Sequence, residues 1–319
     1  MIVRDRPSGL RLFLVVRGSI LKQIRWVLLV NVLVAVAVTW SHGDLFSHKI
    51  TLTTIPFTLI GLPLAIFLGF RNNAAYDRYW EARKLWGELL LRSRNLARQT
   101  LSLIDLPDGP APDAPPPRGD LGDVRVRLLY RMIAVAQALK HQLRGTRDVQ
   151  GEVAALLRPE EAHRVAGLAN PAAALLLEAG EDLRRCRRAG QLDSVRAAAL
   201  DATLSAISAA AASCERIKSS PLPFSYTLLL HRTAYLYCFL LPFGLVDSIG
   251  FMTPFVVGIV AYTFFGLDAL GDEIEEPFGL LPNDLPLDAI CRGIEIDLRQ
   301  ALGERDTPPP LQPVDYCLM

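Results

Sequence analysis

Leu62, Ile66 and Phe70 recur at intervals of four inside the stretch "GLPLAIFLGFRNN". None of these side chains can act as a nucleophile, an acid, a base or a metal ligand. What bulky apolar groups at that spacing can do is exclude water. A step of four residues turns an α-helix by about 400°, so successive side chains drift only about 40° and form one stripe. Such a stripe is a packed core, a lipid-facing surface or the lining of a narrow passage. A narrow apolar ring dewets, and an ion cannot cross it without its hydration shell. Elsewhere the reactive side chains are dispersed. His42, His48, His141, His163 and His231 are scattered, and there is no GxSxG, HExxH or phosphate-binding glycine loop. Cys186, Cys214, Cys238, Cys291 and Cys317 form no CxxC and no regular spacing, which argues for reduced thiols over a disulfide framework or a zinc site. The acidic run "GDEIEE" from Gly271 reads as a solvated helix end or as salt bridges to basic helices. It could also bind a cation, and metal ligands stay unassigned. No enzyme activity and no cofactor are expected.

The elements that must position the stripe follow from a strong segregation of composition. The chain is 319 residues long and 51% hydrophobic, with a mean hydropathy of +0.26. Four windows are almost purely apolar, while Arg71 to Ser220 is charged and alanine-rich. This is the profile of a multi-pass membrane protein with a helical part outside the bilayer. Basic residues are dispersed and the formal net charge is +1, so no nucleic-acid partner is expected.

Residues 1–23 read as a basic, amphipathic surface segment. The first span covers about Ile24 to Trp40, with Trp26 and Trp40 near its ends, and no small-residue cleavage site closes it. Ser41 to Lys49 is a short polar loop. The second span covers about Ile50 to Phe70 and carries Pro56, Gly61, Pro63 and Gly69. So many helix breakers point to a helix inside an assembly, where neighbours re-satisfy freed carbonyls. Pro63 should bend it, and Gly61 and Gly69 should admit close neighbours.

The same helix continues from Arg71 to about Ile104 with Leu85, Leu89 and Leu96 on one face, until the proline-rich "DLPDGPAPDAPPPRGD" breaks it. Within it Arg78, Glu81 and Arg83 can pair along the helix. Amphipathic helices follow over about Val124–Arg144, Pro171–Ala189 and Leu192–Ser219. The third span is about Phe224–Leu245 and the fourth about Phe251–Leu267, joined by a tight turn at Val246 to Gly250. His231 and Arg232 lie within the third span and read as snorkelling or salt-bridged groups. A last amphipathic helix covers about Leu287–Leu302.

The domain organisation is therefore 1–23, spans one and two over 24–70, a cytosolic helical region over 71–220, spans three and four over 221–267, and a cytosolic helix and tail over 268–319. Lysine and arginine set the orientation. Arg71, Arg78, Arg83, Lys84, Arg216 and Lys218 flank one side, whereas the two opposite loops hold one lysine between them. Both termini should lie in the cytosol, at the inner side of a plasma membrane.

"FLGFRNNAAYDRYWEARKLWG", "PLPFSYTLLLHR" and "GDEIEEPFG" followed by "NDLPLD" resemble the bestrophin family, in its bacterial branch. The three motifs occur in order and span most of the chain. The resemblance implies an all-α fold of four transmembrane helices and a cytosolic helical bundle, assembling as a pentameric channel with an axial pore. It implies that Leu62, Ile66 and Phe70 form three apolar rings of a narrow neck, and that a second, cytosolic constriction falls near Val195. The partners it implies are further copies of the chain in a homopentamer, the lipid bilayer and small inorganic ions. The family conducts chloride. Apolar rings do not choose the sign of an ion, and Arg71 and the acids from Asp268 to Glu276 point both ways, so a cation preference stays open. The calcium clasp of eukaryotic members needs an acidic run where this chain has "LLPNDLPLD", so that route to calcium gating is not expected. Two other readings are a secondary anion transporter, for which no inverted repeat is visible, and a non-conducting membrane scaffold.

Overall fold

The computed structural model describes residues 1–3, 9, 15, 18–42, 44–45, 48–49, 53–105, 119–146 and 151–319. The expected surface segment over 1–23 and the proline-rich stretch lie largely outside them. The elements are α1 (Leu21–Trp40), β1 (Asp44–Leu45), β2 (His48–Lys49), α2 (Thr54–Leu103), α3 (Val124–Arg144), α4 (Pro159–Ala166), α5 (Pro171–Arg188), α6 (Ser194–Ser219), α7 (Phe224–Ile249), α8 (Thr253–Glu275) and α9 (Leu287–Ala301). Short 3-10 turns occur at Ala154–Leu156 and Gly250–Met252.

Several boundaries differ from the sequence reading. The polar loop after α1 carries a small antiparallel ladder pairing Asp44 with Lys49 and Leu45 with His48. α7 runs to Ile249, past the expected end at Leu245, and the turn falls at Gly250–Met252, where Gly250 takes a positive φ of 53°. α8 continues past Leu267 to Glu275. α2 is one helix of 50 residues and runs on through Pro63, a length of about 75 Å at 1.5 Å per residue. Caps at the other ends are legible: Asp123 accepts from the Arg125 amide, Asn170 from the Ala173 amide, and Asp193 from the amides of Val195 and Arg196.

The chain divides into two compact units. One, the apolar unit, contains Arg4–Trp80 and Pro221–Pro277; the other, the charged unit, contains Met1–Val3, Glu81–Ser220 and Phe278–Met319. In the apolar unit α1 packs on α7 and α8, and α7 on α8. The core is three clusters: Ile24, Cys238, Ala261, Phe265 and Ala269; Ala35, Phe57, Leu241 and Val257; and Leu64, Leu68, Leu230 and Ala234. Alanines at these contacts let helices approach closely. The outward faces are apolar too, with Trp26, Leu33, Leu236, Phe255 and Ile259 exposed. A surface of that kind is suited to lipid and not to water.

The charged unit is built around α3, which packs against α5, α6 and α9. Every residue from Arg131 to His141 is buried, so α3 is enclosed all round and is not the one-sided amphipathic helix expected. Its buried charges are paired. Arg131 donates to Glu161 Oε1 at 2.5 Å and to Asp182 Oδ2 at 2.7 Å, while Arg127 donates to Asp182 at 2.8 Å. Burial opposes the charge on Asp182, but these hydrogen bonds outweigh it and hold the carboxyl below its usual range. α4, an eight-residue helix not foreseen from the sequence, supplies Glu161 to this network.

Candidate functional site

The rotation of α2 decides what the Leu62, Ile66 and Phe70 stripe faces. In the apolar unit its buried positions are Phe57, Leu64, Leu68, Arg71 and Ala75. Ile66 lies two residues from both Leu64 and Leu68, about 200° around the helix. It therefore points away from the packed side. Leu62, Ile66 and Phe70 are 66%, 47% and 60% exposed, as are Ile55 and Leu59 one and two turns earlier. The stripe is a continuous apolar face that nothing in the chain covers among the described residues.

α7 and α8 set that rotation at successive turns. At Gly244 of α7 an added Cβ would fall 2.2 Å from the Phe57 ring, so glycine is what lets the ring lie against the α7 backbone. Tyr237 of α7 presses on Gly61, and Leu64 and Leu68 pack on Leu230 and Ala234. Gly69 meets nothing within 4 Å, contrary to the expected close neighbour, because it lies on the open side.

The lowest turn is held by charge. Arg71 is fully buried. Its Nη1 donates to Asp268 Oδ1 at 2.7 Å, and its Nη2 pairs with Asp272. Asp268 Oδ2 lies 2.6 Å from Nδ1 of His231, whose ring packs on Tyr235 at a centroid distance of 4.2 Å. Asn72 Nδ2 donates to the Leu267 carbonyl at 3.0 Å. At Gly271 a Cβ would collide with Asn72 Oδ1, 2.5 Å away, so glycine is required for α2 to approach. Glu275 accepts from the Leu222 amide, and its carbonyl accepts from Arg78 Nε. Of the two sequence readings of the acidic run, the salt bridge to a basic helix is the one seen at Asp272, whose partner is Arg71 of α2. None of the polar groups that hold α2 at this turn was singled out as a site residue. The available signals were an arginine closing one apolar window and an acid closing another.

Val195 lies in the charged unit, in the first turn of α6, and its side chain is 78% exposed. Its amide donates to the cap Asp193 at 2.8 Å, which fixes the start of the helix and leaves the isopropyl group projecting clear. Glu81, expected to pair along α2, instead accepts from Arg216 of α6 at 2.7 Å. Among the described residues no three His, Cys, Asp or Glu side chains cluster closely enough to hold a metal ion.

A family model described as bacterial/fungal bestrophin protein matches residues 1–300. A voltage-dependent anion channel-forming protein of Mesorhizobium japonicum is 45% identical over 99% of this chain and 96% of its own length. A protein of the same description from Escherichia coli K12 is 44% identical over 98% of each chain. A crystal structure of a bacterial bestrophin homologue from Klebsiella pneumoniae matches with a TM-score of 0.81 at 39% identity, covering 88% of this chain and 99% of that one.

Proposed function

The chain belongs to the bacterial and fungal bestrophin family, and from that premise we propose that it is a membrane channel for small anions. Relatives that match along nearly their whole length carry the description anion channel-forming, which favours conduction over an enzymatic role. Five copies surround an axis lined by the first half of α2. The observation that carries this reading is the uncovered face of Leu62, Ile66 and Phe70, opposite the side packed on α7 and α8. Stacked rings of these residues span about 12 Å, eight residues at 1.5 Å each, and act as a dry neck that conducts when widened. Val195, projecting from the start of α6, forms a second constriction.

The four spans are α1, the first half of α2, α7 and α8. α6 is also long and apolar enough to cross a membrane. It owes this to alanine, carries Arg196, Asp201, Glu215 and Lys218, and buries Leu200, Leu204 and Ile207 in the charged unit, so it stays outside the bilayer. Both termini lie on one side: the Leu318 amide donates to the Met1 carbonyl at 2.9 Å, and the Val3 amide to the Tyr316 carbonyl at 2.9 Å. An even number of spans accords with that pairing, and the basic flanks support the reading that this side is the cytosol, at the inner side of a plasma membrane.

The test is recording from purified protein in planar bilayers under a chloride gradient. A reversal potential near that of chloride is expected, and Ile66→Ala should raise conductance by about threefold or more, because a smaller ring rewets. Saturable flux would indicate a transporter, and silent bilayers with an intact protein would indicate a scaffold.

A further inference from the structure

Arg71, Asp268, Asp272 and His231 need a role beyond closing the helix ends. A guanidinium at 0% exposure one residue after Phe70 is costly to bury. The turns above it are held by hydrophobic packing and a hydrogen bond from the Tyr226 hydroxyl to the Phe67 carbonyl at 3.1 Å. This turn is instead fastened to α8 through two carboxylates, one of which is shared with a half-exposed imidazole on α7.

From this arrangement we infer that Arg71 and Asp268 are positioning residues that set the angle of the Phe70 turn, and that His231 is the proton-responsive member of the latch. The inference rests on the neck reading of α2 and adds a regulator to it. The groups facing His231 are Tyr235 on its own helix, Asp268 and Asp272 on α8, and Arg71 on α2. With neutral imidazole the cluster holds one cation and two carboxylates. A proton on His231 brings it to balance.

Asp268 offers its two oxygens to different partners, Oδ1 to Arg71 and Oδ2 to His231, so protonation strengthens one contact without displacing the other. The added cation repels Arg71 and shares the charge of Asp268, so the protonated cluster grips α2 less firmly and lets Phe70 and Ile66 leave their narrow setting. Loss of the proton leaves the charge of both carboxylates to Arg71 and holds the turn in place. Two buried atoms without partners, Arg71 Nε and Asn72 Oδ1, lie at this joint and give the turn other contacts to make. Gly271 leaves no room for a side chain there, so small rotations of α2 are felt directly by α8.

The experiment is bilayer recording of the full-length protein at a series of pH values. Current should rise by about threefold or more from about pH 8 to about pH 5.5, through the range where histidine titrates. His231→Gln, at a half-exposed position with hydrogen bonding retained, should assemble normally and give a flat profile. Ile66→Ala should conduct more than wild type and be insensitive to pH, since the latch acts through the neck. If Ile66→Ala fails to raise conductance, the neck reading falls. If it raises conductance while wild type and His231→Gln share one pH profile, the neck reading stands and the latch is overturned.

Discussion

The two halves of α2 bury the same stripe and expose opposite chemistries. The buried positions run Phe57, Leu64, Leu68, Arg71 and Ala75 in the apolar unit, then Ala82, Trp86, Leu89, Ser93, Leu96, Ala97 and Thr100 in the charged unit, in steps of three, four or seven residues apart from the adjacent pair Leu96 and Ala97. The outer face reads Leu59, Leu62, Ile66 and Phe70 in the first half and Arg83, Lys84, Arg94 and Arg98 in the second. A helix needs one packed side in any solvent. The exposed side turns from largely apolar before Arg71 to predominantly charged beyond Glu81.

The largest effect should come from the single charge on the packed stripe. Arg71→Met leaves the buried Asp268 without its cation, and breaking a buried pair in that way costs about 3–5 kcal/mol. A lowered unfolding temperature in detergent is expected, with partial recovery when Asp268→Asn is added. A variant as stable as wild type would mean that water reaches the cluster and that this turn is not packed as described.

Next in size are two glycines on opposite faces of the joint between α2 and α7. Gly244→Ala puts a methyl group 2.2 Å from the Phe57 ring, and overpacking of this kind costs about 1–3 kcal/mol. Phe57→Leu in the same chain should relieve it. Gly69→Ala meets nothing within 4 Å and should stabilise the helix by about 0.5–1 kcal/mol. Equal effects at the two positions would remove the distinction between a packed and an open face.

Which face is which was the part that the sequence could not convey. Leu62 and Ile66 on the open side and Leu64 and Leu68 on the packed side are the same kind of residue, so only contacts with Leu230, Ala234 and Tyr237 settle the rotation. The apolar helices and the long run of α2 were legible because hydrophobic period is local. α8 was cut short at Leu267, since hydropathy ends there while backbone hydrogen bonding does not. The acids beyond it find Arg71, a partner 197 residues away in sequence, and no local pattern announces that. α4 escaped notice because eight residues leave too few turns to show a period.

Charges placed inside the charged unit should matter at low pH. Arg127 and Arg131 hold the Asp182 carboxyl below its usual range, and Arg144 and Lys140 do the same for Asp288 against the opposing effect of burial. A depressed folded pKa contributes stability above the unfolded value of about 3.9 and loses it as pH falls through the folded value. Hydrogen exchange at α3 and α5 should therefore quicken between about pH 4 and pH 2, and Asp182→Asn should flatten that dependence while lowering protection at neutral pH. An unchanged slope in the variant would mean that the carboxyl titrates normally.

The smallest effect belongs to the outer face of the second half of α2. Arg98 is exposed, five residues before the end of α2 at Leu103 and opposite the stripe that carries Leu96 and Thr100. Removing an exposed charge away from caps and buried networks changes stability by about 0.5 kcal/mol or less, so Arg98→Ala should melt with wild type. Arg98→Leu is the sharper variant, because it asks whether the outer face is charged for stability or for solubility. If solvent alone dictates that face, Arg98→Leu keeps the unfolding temperature and raises the tendency to aggregate at high concentration. A drop in unfolding temperature with no aggregation would show that the guanidinium packs on something, and that the second half of α2 has two committed faces where the comparison assigns it one.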